Sequence, residues 1–187
     1  MKFARALVAL LCLPAASYAA ELRDITVEKV DGRYVLNSEV WFGVGVDALF
    51  AVFLDYDLST QFSSAIVEAR DIEPDAQGRP RFYIRNRGCV LFFCFSAERN
   101  GYVLHEPNVV IEAFADPETS DFHLSEESWR FREDGDGTIV DYHLEMKPKM
   151  WIPPVIGTYV IKRRLREGGG YAIQRIEAIA RAMEQRR

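Results

Sequence analysis

The chain is poor in the residues from which reactive sites are usually built: three histidines and three cysteines in 187 residues. It lacks a Gly-x-Ser-x-Gly elbow, a P-loop and a Gly-x-Gly-x-x-Gly fingerprint, so no sequence motif points to hydrolase, nucleotide or dinucleotide chemistry. Gly43-Val44-Gly45 is too short to count. Positive charge is not in excess either. Lys and Arg number 23 against 28 Asp and Glu, which argues against a nucleic-acid partner, since such partners leave a basic footprint. The same balance argues against a surface held to anionic lipid by charge alone. Beyond the first residues no apolar segment is long enough to cross about 30 Å of hydrocarbon. Repeats, low-complexity runs and long linkers are also missing.

Residues 1–19 read as a signal peptide. Lys2 and Arg5 form a charged start, residues 6–13 a short apolar stretch, and Ser17-Tyr18-Ala19 puts small residues at the −3 and −1 positions of a cleavage site. The mature chain then starts at Ala20, with 21 basic and 28 acidic residues and a net charge of −7. Residues 20–187 are enough for one domain with a real core. The expected location is the periplasm or the exterior.

Export makes a disulfide between the remaining cysteines, Cys89 and Cys94, a question of geometry. Residues 89–96 are apolar on both faces, the pattern of one covered strand. Five residues apart in a straight strand, the two Cα atoms would sit roughly 16 Å from each other, and a bridge needs less than about 7 Å. Two packed thiols are therefore expected ahead of a bridge, unless the chain turns between them. Cys-x4-Cys without nearby histidine or cysteine matches no common zinc site, and no metal or cofactor is expected.

Alternation and turn signals order the rest. Residues 25–30 and 33–42 flank Asp31-Gly32, a hairpin signal. Asp47 is a candidate N-cap for a helix over residues 48–56, and a second short helix reaches Phe62. Strands are expected at 64–73, 81–87, 89–96, 102–106, 108–115, 121–133 and 138–147. Asn100-Gly101 reads as a further hairpin turn, and Asp134-Gly135-Asp136-Gly137 as the last one. A long amphipathic helix closes the chain after Pro153-Pro154. Its one irregularity is Gly168-Gly169-Gly170. Each glycine costs about 1 kcal/mol inside a helix, yet the apolar stripe through Ile161, Leu165, Gly168, Ala172, Ile176, Ile179 and Met183 keeps phase across them. The stripe favours one continuous helix with Gly168 on its inner face; a loop between two helices is the alternative.

One strand, two short helices, a run of antiparallel strands and a long C-terminal helix is the helix-grip order. In Val46-Asp47-Ala48, Phe53-Leu54-Asp55-Tyr56-Asp57, Ser120-Asp121-Phe122, Ser128-Trp129-Arg130-Phe131, Gly137-Thr138-Ile139-Val140 and Trp151-Ile152-Pro153-Pro154-Val155-Ile156-Gly157, the chain resembles the START/Bet v 1-like (SRPBCC) superfamily. More narrowly, it resembles the bacterial polyketide cyclase/coenzyme Q-binding START-domain family. The resemblance spans about residues 33–184. It implies an α+β helix-grip fold, a curved antiparallel sheet around the C-terminal helix, and a hydrophobic-ligand cavity between them.

On that reading the cavity is lined by Trp129, Phe131, Tyr142, Leu144 and Met146 from the sheet and by Ile161, Leu165 and Gly168 from the helix. Strand alternation places Asp141, His143 and Glu145 on the opposite, solvated face. The same argument places Arg81, Arg85 and Arg87 on an outer face. Two ionisable residues are candidates for catalysis. Glu112, beside Val110 and Phe114, would carry a raised pKa if it stood alone in an apolar cavity. His123 would share an inner face with Ser125, Glu127, Trp129 and Phe131. The function expected is an exported carrier or binding protein for a lipid, isoprenoid or quinone-like molecule, with a transient membrane contact and no nucleic acid. A cyclase or hydratase in the same cavity, or a filled-core protein-interaction domain, are the alternatives.

Overall fold

The computed structural model describes residues 19–90, 93–152 and 158–186. Strand β1 (Glu21–Val30) and β2 (Arg33–Phe42) form the first hairpin. Its turn, Asp31-Gly32, holds both residues at positive φ (51° and 78°). That conformation matches the twist of the flanking strands and explains the choice of Asp and Gly. Helix α1 (Val46–Leu54) follows, then a 3-10 helix over Tyr56–Gln61. The residue preceding α1 is Gly45, not the expected Asp47; its N–H donates to Glu184 Oε1 at 2.6 Å. The last turn of the chain's final helix therefore anchors the start of its first.

The remaining strands are β3 (Ile66–Ile72), β4 (Arg81–Val90), β5 (Phe93–Glu106), β6 (Val110–Ala115), β7 (Phe122–Asp134) and β8 (Gly137–Pro148), before helix α2 (Thr158–Glu184). All eight strands form one antiparallel sheet in the order β1-β2-β8-β7-β6-β5-β4-β3. The α+β helix-grip architecture is as expected, and α2 runs without a break through Gly168-Gly169-Gly170.

Three sequence expectations fail between Gly88 and Gly101. Residues 89–96 are not one strand. The chain reverses between Val90 and Phe93, which pair across the hairpin, and the connecting residues 91–92 lie outside the described residues. The reversal sets Cys89 directly opposite Cys94, with a Cα–Cα distance of 4.0 Å, and the two form a disulfide. Packed thiols were the wrong expectation because the apolar run is a hairpin tip. Asn100-Gly101 is not a turn either. It lies inside β5, where Gly101 pairs with Ala115. A Cβ at Gly101 would stand 1.9 Å from the Phe114 carbonyl oxygen, so glycine is there for close backbone approach.

The core is densest around α1. Leu49 and Val52 are fully buried. Phe53 meets Phe42, Phe131 and Trp129 with ring centroids 6.3, 5.7 and 6.0 Å away, and Phe50 meets Phe131 at 5.5 Å. Ile176 and Ala180 of α2 close this end from the other side. Arg181 ties the helix down by donating to the Gly43 carbonyl at 3.1 Å while pairing with buried Glu177.

Candidate functional site

Strand register decides which side chains share the face turned toward the core. Opposite one another stand Phe131 and Val140, Trp129 and Tyr142, Glu127 and Leu144, and Ser125 and Met146. The structure thus brings Trp129, Phe131, Tyr142, Leu144 and Met146 onto one face. They differ in what they do there. Phe131 is buried in the aromatic cluster under α1. Trp129 bridges outward from it, stacking on Tyr142 at 5.4 Å. Tyr142 and Leu144 pack instead on a smaller apolar cluster of Ile25, Val27 and Leu36. Met146 is half-buried beyond them. The side-chain surroundings of Ile161, Leu165 and Gly168 lie outside the described residues.

Neither candidate catalytic residue reaches this face. Glu112 is on the far side of β6, its side chain 37% exposed and 4.0 Å from Arg130. His123 is exposed. The register of β7 slips between Phe122 and Leu124, and this bulge breaks the alternation that would have aligned His123 with Ser125. His143 also faces outward, bonded through Nδ1 to Asn37 at 2.7 Å. Arg85 pairs with Glu68 at 2.7 Å and Arg81 donates to Asn100 at 2.8 Å on the outer face, as alternation required.

The unexpected feature of the buried face is polar. Arg99 of β5 and Glu127 of β7 form an ion pair with side chains only 16% and 6% exposed. Burial lowers the pKa of Arg99, and the two tyrosines beside it, Tyr142 first and then Tyr56, act in the opposite sense. Burial likewise pushes Tyr142 up to about 12 and Tyr56 higher still, with Arg99 pulling both down. Both phenols are therefore neutral at neutral pH, and the buried polar groups of the cluster are these hydroxyls and the Arg99–Glu127 ion pair. They are not fully satisfied. Tyr56 Oη and Arg99 Nε are buried without a hydrogen-bond partner among the described residues, as is Arg85 Nε on the outer face, whereas Glu127 Oε1 is held by the Arg99 guanidinium. Each such group costs about 1–3 kcal/mol, and buried polar atoms are otherwise almost always paired.

This cluster was hard to see in the sequence. Glu127 fell on the right face by alternation. Arg99 did not, because a turn at Asn100-Gly101 would have left it at a strand end in water. Tyr56 was one aromatic among many; only its stacking on Phe82, at 4.7 Å, fixes it here.

A second acidic group, Asp55, Asp57 and Asp71, brings three carboxylates within 4.8 Å. Two of them accept backbone N–H bonds locally, Asp55 from Asp57 and Asp57 from Asp71. That bonding accounts for the group as the cap of the 3-10 helix and its tether to β3.

No family model matches the chain, and no curated protein does. Solved structures do. A START superfamily protein from Mycobacterium smegmatis aligns with a TM-score of 0.60 at 16% identity, covering 80% of this chain and 98% of that one. A STAR-related lipid transfer protein from Xanthomonas axonopodis aligns at 0.58 and 14% identity, covering 84% and 98%. The Zhui aromatase/cyclase from a Streptomyces species aligns at 0.58 and 11%, covering 80% and 94%. The chain has the START-like fold of these proteins.

Proposed function

We propose that the chain is an exported carrier or binding protein for a hydrophobic small molecule, a lipid, isoprenoid or quinone-like compound, held between the sheet and α2. The observation that carries this reading is the Arg99–Glu127–Tyr56–Tyr142 cluster: a buried ion pair and two phenols on a largely apolar face, with Tyr56 Oη and Arg99 Nε lacking hydrogen-bond partners among the described residues. A bound molecule with an apolar body and one oxygen function completes it. The apolar body gains about 25 cal/mol per Å² removed from water, and the oxygen supplies the missing partners. Glu127 already offsets the charge of Arg99, so the patch suits a neutral hydroxyl or carbonyl better than a carboxylate or phosphate. Lipid-transfer and cyclase proteins of the same fold are consistent with a hydrophobic ligand.

Residues 1–19 act as the export signal and residues 20–187 as the single mature domain. The Cys89–Cys94 bridge suits an oxidising compartment. Ligand exchange takes place in transient contact with a membrane. No observation favours a cyclase or hydratase, because Glu112 and His123, on which that reading rested, both lie off the buried face.

Expression of the full chain, followed by periplasmic release and native mass spectrometry, tests this. The expected product is a mature protein beginning at Ala20 with one extractable neutral lipid bound. Full-length protein retained in the cytoplasm would overturn the export, and repeated recovery of ligand-free protein would overturn the carrier.

A further inference from the structure

Helix α2 carries its apolar stripe past the stretch that the carrier reading uses, on to Ile179 and Met183, which are only partly buried against the core. Between its C-terminal half and the 3-10 helix runs an open groove of about 390 Å³. Its floor is apolar: Leu58 from the 3-10 helix, with Ile179, Ala182 and Met183 from α2. Arg175 stands at one end and Arg186 at the other. Arg175, Ile179 and Ala182 fall on one stripe of α2, Arg186 lies in the turn just past its end at Glu184, and eleven residues at helical rise span about 16 Å.

The two arginines differ from their neighbour Arg181. Arg181 is saturated by Glu177 and the Gly43 carbonyl. Arg175 reaches only the Gln61 carbonyl, at 3.5 Å, and the Tyr171 ring, at 5.8 Å. Among the described residues no ion pair with a carboxylate is recorded for Arg175 or Arg186. In a chain with an acidic excess, two cations left unneutralised at the ends of one apolar stripe form a distinct pattern of charge.

We propose that this groove docks an amphipathic helix of a partner protein, about three turns long, with an apolar stripe and a carboxylate near each end. Charge complementarity selects that occupant. A second copy of this chain is disfavoured, because either two-fold pairing of the α2 stripes sets arginine against arginine. The leader is disfavoured too, since Lys2 and Arg5 share the groove's sign. A concave floor between two helices suits a rod better than a flat bilayer.

The probe is a stapled synthetic helix with leucines on one stripe and glutamates eleven residues apart, compared with the same helix carrying lysines at those two positions. Methyl NMR on the mature protein should show saturable shifts at Ile179 and Met183 with the glutamate helix. Arg175→Glu/Arg186→Glu should weaken that binding by about tenfold, as expected for two partly screened charge pairs, and reverse the preference toward the lysine helix. Both arginines are exposed, and an unchanged melting temperature shows that the variant folds. Equal binding of the two helices, or shifts confined to other surfaces, would overturn the proposal. So would charge-dependent binding to phosphatidylglycerol vesicles with no response to either helix.

Discussion

The two parts of the buried face make a useful contrast. Under α1, Phe42, Leu49, Phe50, Phe53 and Phe131 fill the interior with apolar atoms. The buried Thr138 hydroxyl, close by, donates to the Val44 carbonyl at 2.9 Å. Beside Tyr142 the protein buries a charged pair, and Arg99 Nε and the Tyr56 hydroxyl of the 3-10 helix lack hydrogen-bond partners among the described residues. The first region holds the fold together and the second costs it stability. Among the described residues Arg85 Nε on the outer face also lacks a partner, but there it stands alone; beside Tyr142 two such atoms and a buried ion pair come together, and this is the place proposed for a bound molecule.

Mutations can break or sharpen this contrast. The largest effects belong to the two regions themselves. Phe131→Ala should cost about 3–5 kcal/mol in denaturant unfolding, the range for a phenylalanine removed from a packed core. Arg99→Met should cost a similar amount, about 3–5 kcal/mol, because it strands the Glu127 carboxylate. The regions part at the next step. Arg99→Met/Glu127→Leu should recover most of that loss and equal or exceed the parent protein, since a buried ion pair replaced by apolar side chains is often neutral or stabilising. No second substitution is expected to rescue Phe131→Ala in this way. A double variant as unstable as Arg99→Met alone would show that the pair is structural and remove the contrast.

The disulfide lies outside both regions, at the hairpin tip. It closes a short loop, so Cys89→Ser/Cys94→Ser should cost only about 2 kcal/mol, measured as the change in unfolding free energy with and without reductant. The smallest effects concern α2. A Cβ at Gly169 or Gly170 would meet nothing within 4 Å, so Gly169→Ala and Gly170→Ala should each stabilise by up to about 1 kcal/mol. A loss of stability at either position would mean that something packs against the helix there.

Much of the fold was legible because its signals are local. Asp31-Gly32 demands a tight hairpin, and the α2 stripe keeps phase across three glycines. Two of the misses share a cause, local signals yielding to pairing with other strands, while the third is a local reversal hidden in an apolar run. Asn100-Gly101 carries the composition of a turn, yet the approach of Phe114 makes its glycine a strand residue. The apolar run around Cys89 and Cys94 has the pattern of a covered strand, yet it is the two sides of a reversal. One slipped register beside His123 turned a candidate acid–base group outward. That Trp129, Phe131, Tyr142, Leu144 and Met146 share one face was readable from alternation in β7 and β8. The polar cluster was not, because Arg99 joins that face only when β5 is continuous past Asn100.

The most direct test of the account is a comparison of bound ligand in the wild-type protein and in Arg99→Met/Glu127→Leu, both recovered from the periplasm and measured by native mass spectrometry with lipid extraction. The account predicts that the wild type carries one neutral, oxygen-bearing hydrophobic molecule and that the double variant, folded and at least as stable, loses most of it. Equal loading of the two proteins with the same molecule would contradict the assignment of this cluster as the place where the ligand's polar end is held.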